Sequence, residues 1–88
     1  MRYDVIVAPS ARRDLGRLHE AVAAAVFEFM AGPLAENPQR VGKPLGGDKV
    51  GQYAARRGNY RIIYRIIDKV VQVQVIRVRY RATAYRHD

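Results

Sequence analysis

The residues of this sequence best suited to chemistry are arginines, and they are concentrated in the second half of the chain. Residues 50–88 contain nine Lys and Arg residues against two acidic residues, whereas residues 1–49 contain seven against six. Eight of the nine are arginines: Arg56, Arg57, Arg61, Arg65, Arg77, Arg79, Arg81 and Arg86. A guanidinium group presents a planar fork of donors that fits a phosphate in a bidentate way and stacks on bases. The second half is therefore predicted to bind a polyanion, and RNA is the polyanion we expect.

Other kinds of chemistry are disfavoured by residues that are missing or badly placed. The chain has no Cys, which excludes disulfides and thiolate chemistry. No group of His, Asp and Glu has metal-ligand spacing, and the two histidines, His19 and His87, are both peripheral. We therefore expect no metal, no cofactor and no Ser-His-Asp triad.

Length and composition predict one domain in the cytoplasm. The 88 residues are 49% hydrophobic and carry a net charge of +8, which suits a globular chain with one modest core. We therefore expect a single domain over residues 1–88. No apolar run is long enough to cross a membrane, and the first residues are too charged and too few for a signal peptide. A cytoplasmic location without membrane association is expected.

The first half of the chain predicts a strand followed by a helical hairpin. Residues 3–8 are rich in β-branched side chains and form a strand that Pro9 ends. Ser10 has the side chain of a good N-cap, and helices over 11–20 and 21–31 follow, each with apolar residues at helical spacing. The Gly-Pro pair after the second helix either ends it or kinks it, in which case the helix resumes for a few residues.

The second half predicts a loop and a three-stranded meander. Residues 37–50 are rich in Gly, Pro and Asn and have no apolar period, which is typical of a loop. Strands are then predicted over 51–56, 60–67 and 70–79, the last two joined by a tight turn at Asp68-Lys69. The alternation of the last strand changes phase, so either its two ends are covered on opposite faces or a bulge near residues 75–77 swaps the faces.

These elements predict an α+β fold of the order β-α-α-β-β-β. The helical hairpin is expected to pack on one face of a mostly antiparallel, four-stranded sheet. The other face stays open, and the arginines are expected to converge there. The tyrosines of the predicted sheet are expected to pack in the core rather than stack on bases: Tyr53, Tyr60 and Tyr64. His19 is expected to be a solvated surface residue.

Three stretches of the sequence together resemble a known family. They are Gly42-Lys43-Pro44-Leu45, the segment Ala55-Arg56-Arg57-Gly58-Asn59-Tyr60-Arg61-Ile62-Ile63-Tyr64, and Arg81 with Tyr85 four residues later. In this combination, and in the order of its elements over nearly the whole chain, the sequence resembles the RelE/ParE superfamily of bacterial toxins from type II toxin–antitoxin pairs. Within that superfamily it is most similar to the RelE-like branch. The resemblance implies the RelE-like fold, which agrees with the fold predicted from the residues.

The resemblance also implies an activity and the residues that carry it. Such toxins are small endoribonucleases that enter the ribosomal A site and cut mRNA by attack of a ribose 2′-OH on the adjacent phosphate, without a metal. Arg61 matches the arginine that contacts the scissile phosphate, and Arg81 matches a second phosphate-binding arginine. Tyr85 matches a tyrosine that stacks on a base or assists a proton transfer, and Arg56 matches a basic strand position. Further RNA contacts are expected at Arg57, Arg65, Arg77, Arg79 and Arg86.

Two positions depart from the family pattern and leave other functions open. RelE-type enzymes carry lysines in the strand where this chain has Gln52 and Ala54, and these two side chains supply neither a base nor a cation. The general base is therefore unassigned, with His87 as one candidate. One alternative is a ParE-like toxin that poisons DNA gyrase without catalysing a reaction. Another is a toxin that has lost its activity and mainly binds its antitoxin and their operator.

The resemblance implies partners as well. The family pairs its toxins with acidic antitoxins in hetero-oligomers, often heterotetramers. A segment of the antitoxin is expected to wrap the toxin, cover the helical hairpin and come near the arginines through coupled folding and charge complementarity. The ribosome and mRNA are the expected targets, and operator DNA is expected to be contacted only through the antitoxin.

Overall fold

The computed structural model describes residues 2–80, which form one mixed sheet with its helices. In chain order the elements are β1 (Asp4–Val7), α1 (Pro9–Gly16), α2 (Glu20–Phe29), a π-helical turn (Met30–Leu34), α3 (Pro38–Val41), β2 (Lys43–Pro44), β3 (Gln52–Arg57), β4 (Tyr60–Ile67), a 3-10 turn (Asp68–Val70) and β5 (Gln72–Tyr80). The sheet order is β1-β5-β4-β3-β2, with β1 parallel to β5 and all other neighbours antiparallel. The predicted α+β class is confirmed.

The sheet has five strands rather than the predicted four, because the segment predicted as a loop contributes an edge strand. Residues 37–50 contain both α3 and β2, and β2 pairs with β3. Just after β2, the amide of Leu45 donates to the carbonyl of Gln52 over 2.8 Å. A strand of two residues has no alternation that a sequence pattern can reveal, and its extended backbone depends on the partner strand.

The helices cover one face of the sheet, as predicted. They contribute these buried core residues: Ala11, Leu15, Val26, Phe29, Met30 and Leu34. The strands contribute Ala55, Ile62, Tyr64, Val73, Val75 and Val78. The Tyr64 ring stacks on Tyr53 with ring centroids 5.6 Å apart, and the Tyr60 ring lies 5.3 Å from that of Tyr80. The predicted packing roles of these tyrosines are confirmed.

A bulge in β5 explains why the apolar alternation of that strand changes phase. Ile76 is skipped in the ladder with β4, since its neighbours Val75 and Arg77 pair with consecutive residues of β4. Because of the extra residue, the inward-facing positions change from odd-numbered residues, up to Val75, to even-numbered residues, from Val78 onward. Of the two interpretations of the sequence, the bulge is therefore confirmed.

Helix α1 begins earlier than predicted, and Ser10 is not its N-cap. Ala8 is the N-cap and caps with no side-chain hydrogen bond, while Pro9 takes the first helical position, where its missing N–H costs nothing. The Ser10 hydroxyl instead donates to the carbonyl of Ile76 over 2.7 Å. β1 is shorter than β5, so beyond the end of β1 side chains of α1 supply partners for the exposed backbone of β5.

The Gly-Pro pair after α2 kinks the helical path without ending it. Pro33 lies inside the π-helical turn, and helical backbone continues to Glu36. The wider turn accommodates a residue that has no N–H to donate, and the carbonyl of Pro33 accepts the amide of Asn37 over 3.0 Å. At the other end of α2, Nδ1 of the exposed His19 accepts the amide of Ala21 over 3.2 Å, so His19 is the N-cap.

Candidate functional site: an arginine row on the open face of the sheet

Three arginines from three adjacent strands form a row across the face of the sheet that the helices leave open. Arg61 of β4 pairs with Arg56 of β3 on one side and with Arg79 of β5 on the other. Directly paired residues project on the same face, with Cβ atoms about 4.5–5.5 Å apart. A chain neighbour of each is buried under the helices: Ala55, Ile62 and Val78. We call Arg56, Arg61 and Arg79 the arginine row.

The arginine row places three positively charged side chains next to one another on adjacent strands. Like charges directly opposite each other destabilise a sheet. Arg56 and Arg79 are exposed, and Arg61 is half-buried between them. Such a row favours an anion that lies across the strands, since one phosphate group can accept from more than one guanidinium.

Two open clefts meet at Arg61. The first has a volume of about 620 Å³ and lies between the sheet and the α3–β2 segment. Its cationic lining consists of Arg40, Lys43, Arg56 and Arg61. The second has a volume of about 610 Å³ and is lined by Arg61 together with Arg17, Arg77, Arg79 and one acidic residue, Asp14. An extended polyanion centred on Arg61 would therefore meet cations on both sides.

Arg77 is held by an acidic partner in the structure. Its Nε and Nη2 donate to the carboxylate of Asp14 over 2.9 and 3.2 Å, and the same carboxylate accepts the amide of Val78 over 2.9 Å. Burial works to raise the pKa of Asp14, but the hydrogen bonds from Arg77 and Val78, with the charges of Arg77 and Arg79, outweigh it and hold that pKa below its usual range. Asp14 in turn raises the pKa of Arg77. Arg77 thus joins α1 to the bulged end of β5.

Two other predicted contacts lie away from the arginine row. Arg57 projects on the helix-covered face, where its guanidinium carbon lies 5.8 Å from the centre of the Phe29 ring. Arg65 is exposed on the open face, but it lies four residues along β4 from Arg61, a distance of about 13 Å. Their predicted roles in RNA binding stay predictions.

Arg81, Tyr85 and Arg86 lie outside the described residues, and so does His87. Gln52 and Ala54 are within them, and both share the open face with the arginine row, since they alternate with Tyr53 and lead to Arg56 along β3. Neither side chain adds a charge to that face.

Arg40 and Lys43 line the first cleft, although no pattern in the sequence predicts a role for either residue. Both lie in the segment that was predicted as an unstructured loop, and their side chains became part of the site only through the pairing of β2 with β3. The Gly-Lys-Pro-Leu stretch was part of the family resemblance, but no pattern in it indicated which face Lys43 would take.

Within residues 2–80, no helix is long and apolar enough to cross a membrane. In the same part of the chain, no three His, Asp or Glu side chains come together in a group that could hold a metal ion.

Known proteins share this architecture and much of this sequence. Residues 5–85 match the family described as the ParE toxin of type II toxin–antitoxin systems. Toxin RelE of Mycobacterium tuberculosis is 48% identical over 84 residues, which cover 96% of this chain and 87% of the relative. Toxin RelG of the same organism is 48% identical over 86 residues, which cover 98% and 99%.

Solved structures of toxins have the same fold as this chain. The toxin–antitoxin complex RelBE2 from M. tuberculosis contains a chain with a TM-score of 0.88 and 46% identity, covering 92% of this chain and 100% of that one. The isolated RelE toxin of E. coli, at 23% identity and a TM-score of 0.74, covers 89% of this chain and 83% of its own and shares the fold. On the strength of the family match and of the two relatives at 48% identity, this chain belongs to the RelE/ParE superfamily of type II toxin–antitoxin toxins and is RelE-like.

Proposed function

We propose that this toxin is a ribosome-dependent, metal-independent endoribonuclease that cuts mRNA in the ribosomal A site and so inhibits translation. The observation that carries the proposal is the arginine row, in which Arg56, Arg61 and Arg79 face the same side of adjacent strands. The two curated relatives named RelE and RelG support the assignment to this kind of toxin.

The proposed reaction is an internal transesterification. The ribose 2′-oxygen attacks the adjacent phosphorus, the bond from phosphorus to the 5′-oxygen breaks, and the products are a 2′,3′-cyclic phosphate and a free 5′-hydroxyl. The 2′-OH proton goes to a base, and the leaving 5′-oxygen takes up a proton. Negative charge builds up on the phosphorane oxygens, where fixed cations lower the barrier.

Arg61 is the proposed contact to the scissile phosphate because it is the centre of the arginine row and borders both clefts. One such donor contributes on the order of 2.7–4 kcal/mol of transition-state stabilisation. A guanidinium group has five N–H donors and no acceptor, so the row supplies charge and hydrogen bonds and does not act as the base. Arg81 and Tyr85 keep the roles that the resemblance implies, as the second phosphate contact and as a stacking or proton-transfer residue.

The proposal includes an acidic antitoxin in the cytoplasm as the partner that restrains the toxin. The solved relative from M. tuberculosis is a toxin–antitoxin complex. A chain with a net charge of +8 and a cationic sheet face offers an acidic segment both steering and charge complementarity. The proposed assembly is a hetero-oligomer in which only the antitoxin contacts operator DNA.

The test is translation of a defined mRNA by purified ribosomes, with the 5′ ends of the message mapped by primer extension. The wild-type toxin is compared with Arg61→Ala, Arg81→Ala and the control Lys69→Ala, which removes one positive charge from the turn between β4 and β5. Expected are cuts in A-site codons that need ribosomes, persist in the Lys69 variant and are lost in both arginine variants.

A second candidate function for the same fold is that of a toxin that acts on DNA gyrase instead of the ribosome. The matching family is described by its ParE toxins, and β3 presents Gln52 and Ala54 in place of the lysines of RelE-type enzymes. Intact mRNA under translating ribosomes, together with inhibited supercoiling by DNA gyrase, would replace the nuclease with a non-catalytic gyrase poison. Intact mRNA with unaffected gyrase would indicate a toxin that mainly binds its antitoxin.

A further inference from the structure

The edge strand β2 brings a lysine onto the face of the arginine row. Lys43 pairs with Ala54 of β3, and paired residues share a face of the sheet. Ala54 is two residues before Arg56 on the same strand, so Lys43 is diagonal to Arg56 across the β2–β3 ladder. The exposed side chain of Lys43 therefore lies beside the row, although Lys43 and Arg61 are 18 residues apart in the sequence.

The backbone on both sides of Lys43 is fixed against the sheet. Before it, the hydroxyl of the fully buried Tyr64 donates to the carbonyl of Pro38 over 2.6 Å. Gly42 packs so closely that a Cβ atom there would lie 2.2 Å from the Tyr64 hydroxyl oxygen and 2.9 Å from the carbonyl oxygen of Ala54. After it, the Leu45 amide is bonded to Gln52. Lys43 thus stands on a held backbone rather than on a free loop.

The cleft that Lys43 lines is cationic on both walls. Arg40 and Lys43 come from the α3–β2 segment, Arg56 and Arg61 come from the sheet, and no acidic residue is among the residues of the described chain that line it. Positive charge on both walls of this open volume of about 620 Å³ favours an anion inside it. A polynucleotide that places one phosphate at Arg61 carries its next phosphates past one or both clefts.

We propose that this cleft is a second phosphate subsite, in which Lys43, supported by Arg40, binds the backbone phosphate next to the one at Arg61. The proposal rests on RNA as the ligand of the arginine row and adds the residues that set the path of the strand. Lys43 acts there as a compact point charge with three donors, so its task is to position the strand and not to stabilise the reacting phosphorus.

The chain has three lysines, Lys43, Lys49 and Lys69, and the last two serve as matched controls for Lys43. Lys49 lies in the turn between β2 and β3 and Lys69 in the turn between β4 and β5, and neither lines the cleft. Each Lys→Met variant removes one charge and keeps an unbranched stem of similar length. Lys43 is exposed, so Lys43→Met is expected to fold like the controls.

The experiment is equilibrium binding of a short single-stranded RNA that carries 2′-O-methyl groups and therefore cannot be cleaved. Affinities are measured over a range of salt concentrations for the wild type, Lys43→Met, Lys43→Arg, Lys49→Met and Lys69→Met. Lys43→Met is expected to bind about tenfold more weakly and to lose about 0.7 from the slope of log K against log salt, the value for one phosphate contact on a single strand. Lys43→Arg is expected to keep the slope, and the two controls are expected to match the wild type.

A second series identifies the phosphate. Single methylphosphonates, which remove one phosphate charge, are placed in turn along the same RNA. When the methylphosphonate replaces the phosphate next to the one recognised by Arg61, the wild type and Lys43→Met are expected to bind that RNA equally, because the charge that Lys43 contacts has been removed. The binding assay does not depend on cleavage. If the wild-type toxin cuts no mRNA but Lys43→Met still weakens RNA binding, the proposed nuclease is refuted and the phosphate subsite is retained. A Lys43→Met variant with the affinity and slope of the Lys49 and Lys69 controls would overturn the subsite.

Discussion

Asp14 of α1 and Arg77 of β5 form a bidentate ion pair at the bulged end of β5, with donor–acceptor distances of 2.9 and 3.2 Å. The carboxylate also accepts the amide of Val78, so one buried acid serves both a strand edge and a guanidinium. The pair has two consequences: it ties the first helix to the strand that carries Arg79, and it occupies Arg77 with a protein partner.

We predict that this pair contributes stability that is lost in acid. The folded-state pKa of Asp14 is lowered below its ordinary value of 3.8, so the contribution is present above that pH and is lost as the pH falls through the folded-state pKa. Free energies of unfolding from urea titrations are compared for the wild type and Asp14→Asn at neutral pH and at several values below pH 4. The difference between the two proteins should shrink as the pH falls, and a constant difference would contradict the role of the charge.

At high pH, a prediction concerns Tyr64. Burial, with a smaller effect of Tyr53, raises the pKa of Tyr64 to about 12 from its ordinary value of 10.0. The unfolded chain therefore releases this proton first, and stability falls between pH 10.0 and about 12 by up to about 1.4 kcal/mol per pH unit. Since other groups titrate in the same range, the measurement is the difference in unfolding free energy between the wild type and Tyr64→Phe. That difference should depend on pH above 10 and be flat below it.

Arg56 and Arg57 are adjacent in the sequence and project on opposite faces of β3, which makes them a matched pair. Arg56→Ala is predicted to weaken binding of single-stranded RNA and to reduce its salt dependence by about 0.7 in the log–log slope. Arg57→Ala is predicted to leave that slope nearly unchanged and to cost about 0.5–1 kcal/mol of stability through the lost contact with Phe29. Equal effects of the two variants on the slope would show that RNA is not confined to the open face.

The close approach of Gly42 to Tyr64 predicts a coupling between two substitutions. Gly42→Ala should destabilise the protein by about 1–3 kcal/mol, because its Cβ would lie 2.2 Å from the Tyr64 hydroxyl oxygen. Gly46→Ala is the control, since a Cβ there meets nothing within 4 Å. Removal of the hydroxyl in Tyr64→Phe should relieve part of the clash.

The double variant Gly42→Ala with Tyr64→Phe is therefore expected to lose less stability than the sum of the two single losses. Relief is partial, since the carbonyl oxygen of Ala54 remains 2.9 Å from the added carbon. Strict additivity of the measured unfolding free energies would mean that the two residues do not oppose each other across this contact.

Most of the architecture was predictable from local patterns. The apolar spacing of the helices, the alternation in β4 and the phase change in β5 reflect which residues contact the core, so they are visible in the sequence. The errors lie where tertiary partners replace local signals. Ser10 has the side chain of an N-cap, yet it bonds to the carbonyl of Ile76 in a strand 66 residues away.

The site divides in the same way. The arginines of the second half, and Arg61 and Arg56 among them, could be selected from residue type and from the resemblance to the superfamily. The sequence could not show which of these arginines lie together, because their proximity depends on the register of three strands and on a one-residue bulge. The bulge sets the pairing of Arg79 with Arg61, and α1 supplies Asp14 to Arg77.

Residue types and their order along this chain were sufficient to define its fold class, its charge and its family, since those depend on local periodicity and composition. Only the folded chain determined that Arg56, Arg61 and Arg79 form one row, that Arg57 lies on the other face, and that Lys43 joins the row from a two-residue edge strand. The reason is physical: strand register and edge pairing are contacts between distant segments, and each shift of one residue in a strand reverses the face on which a side chain lies.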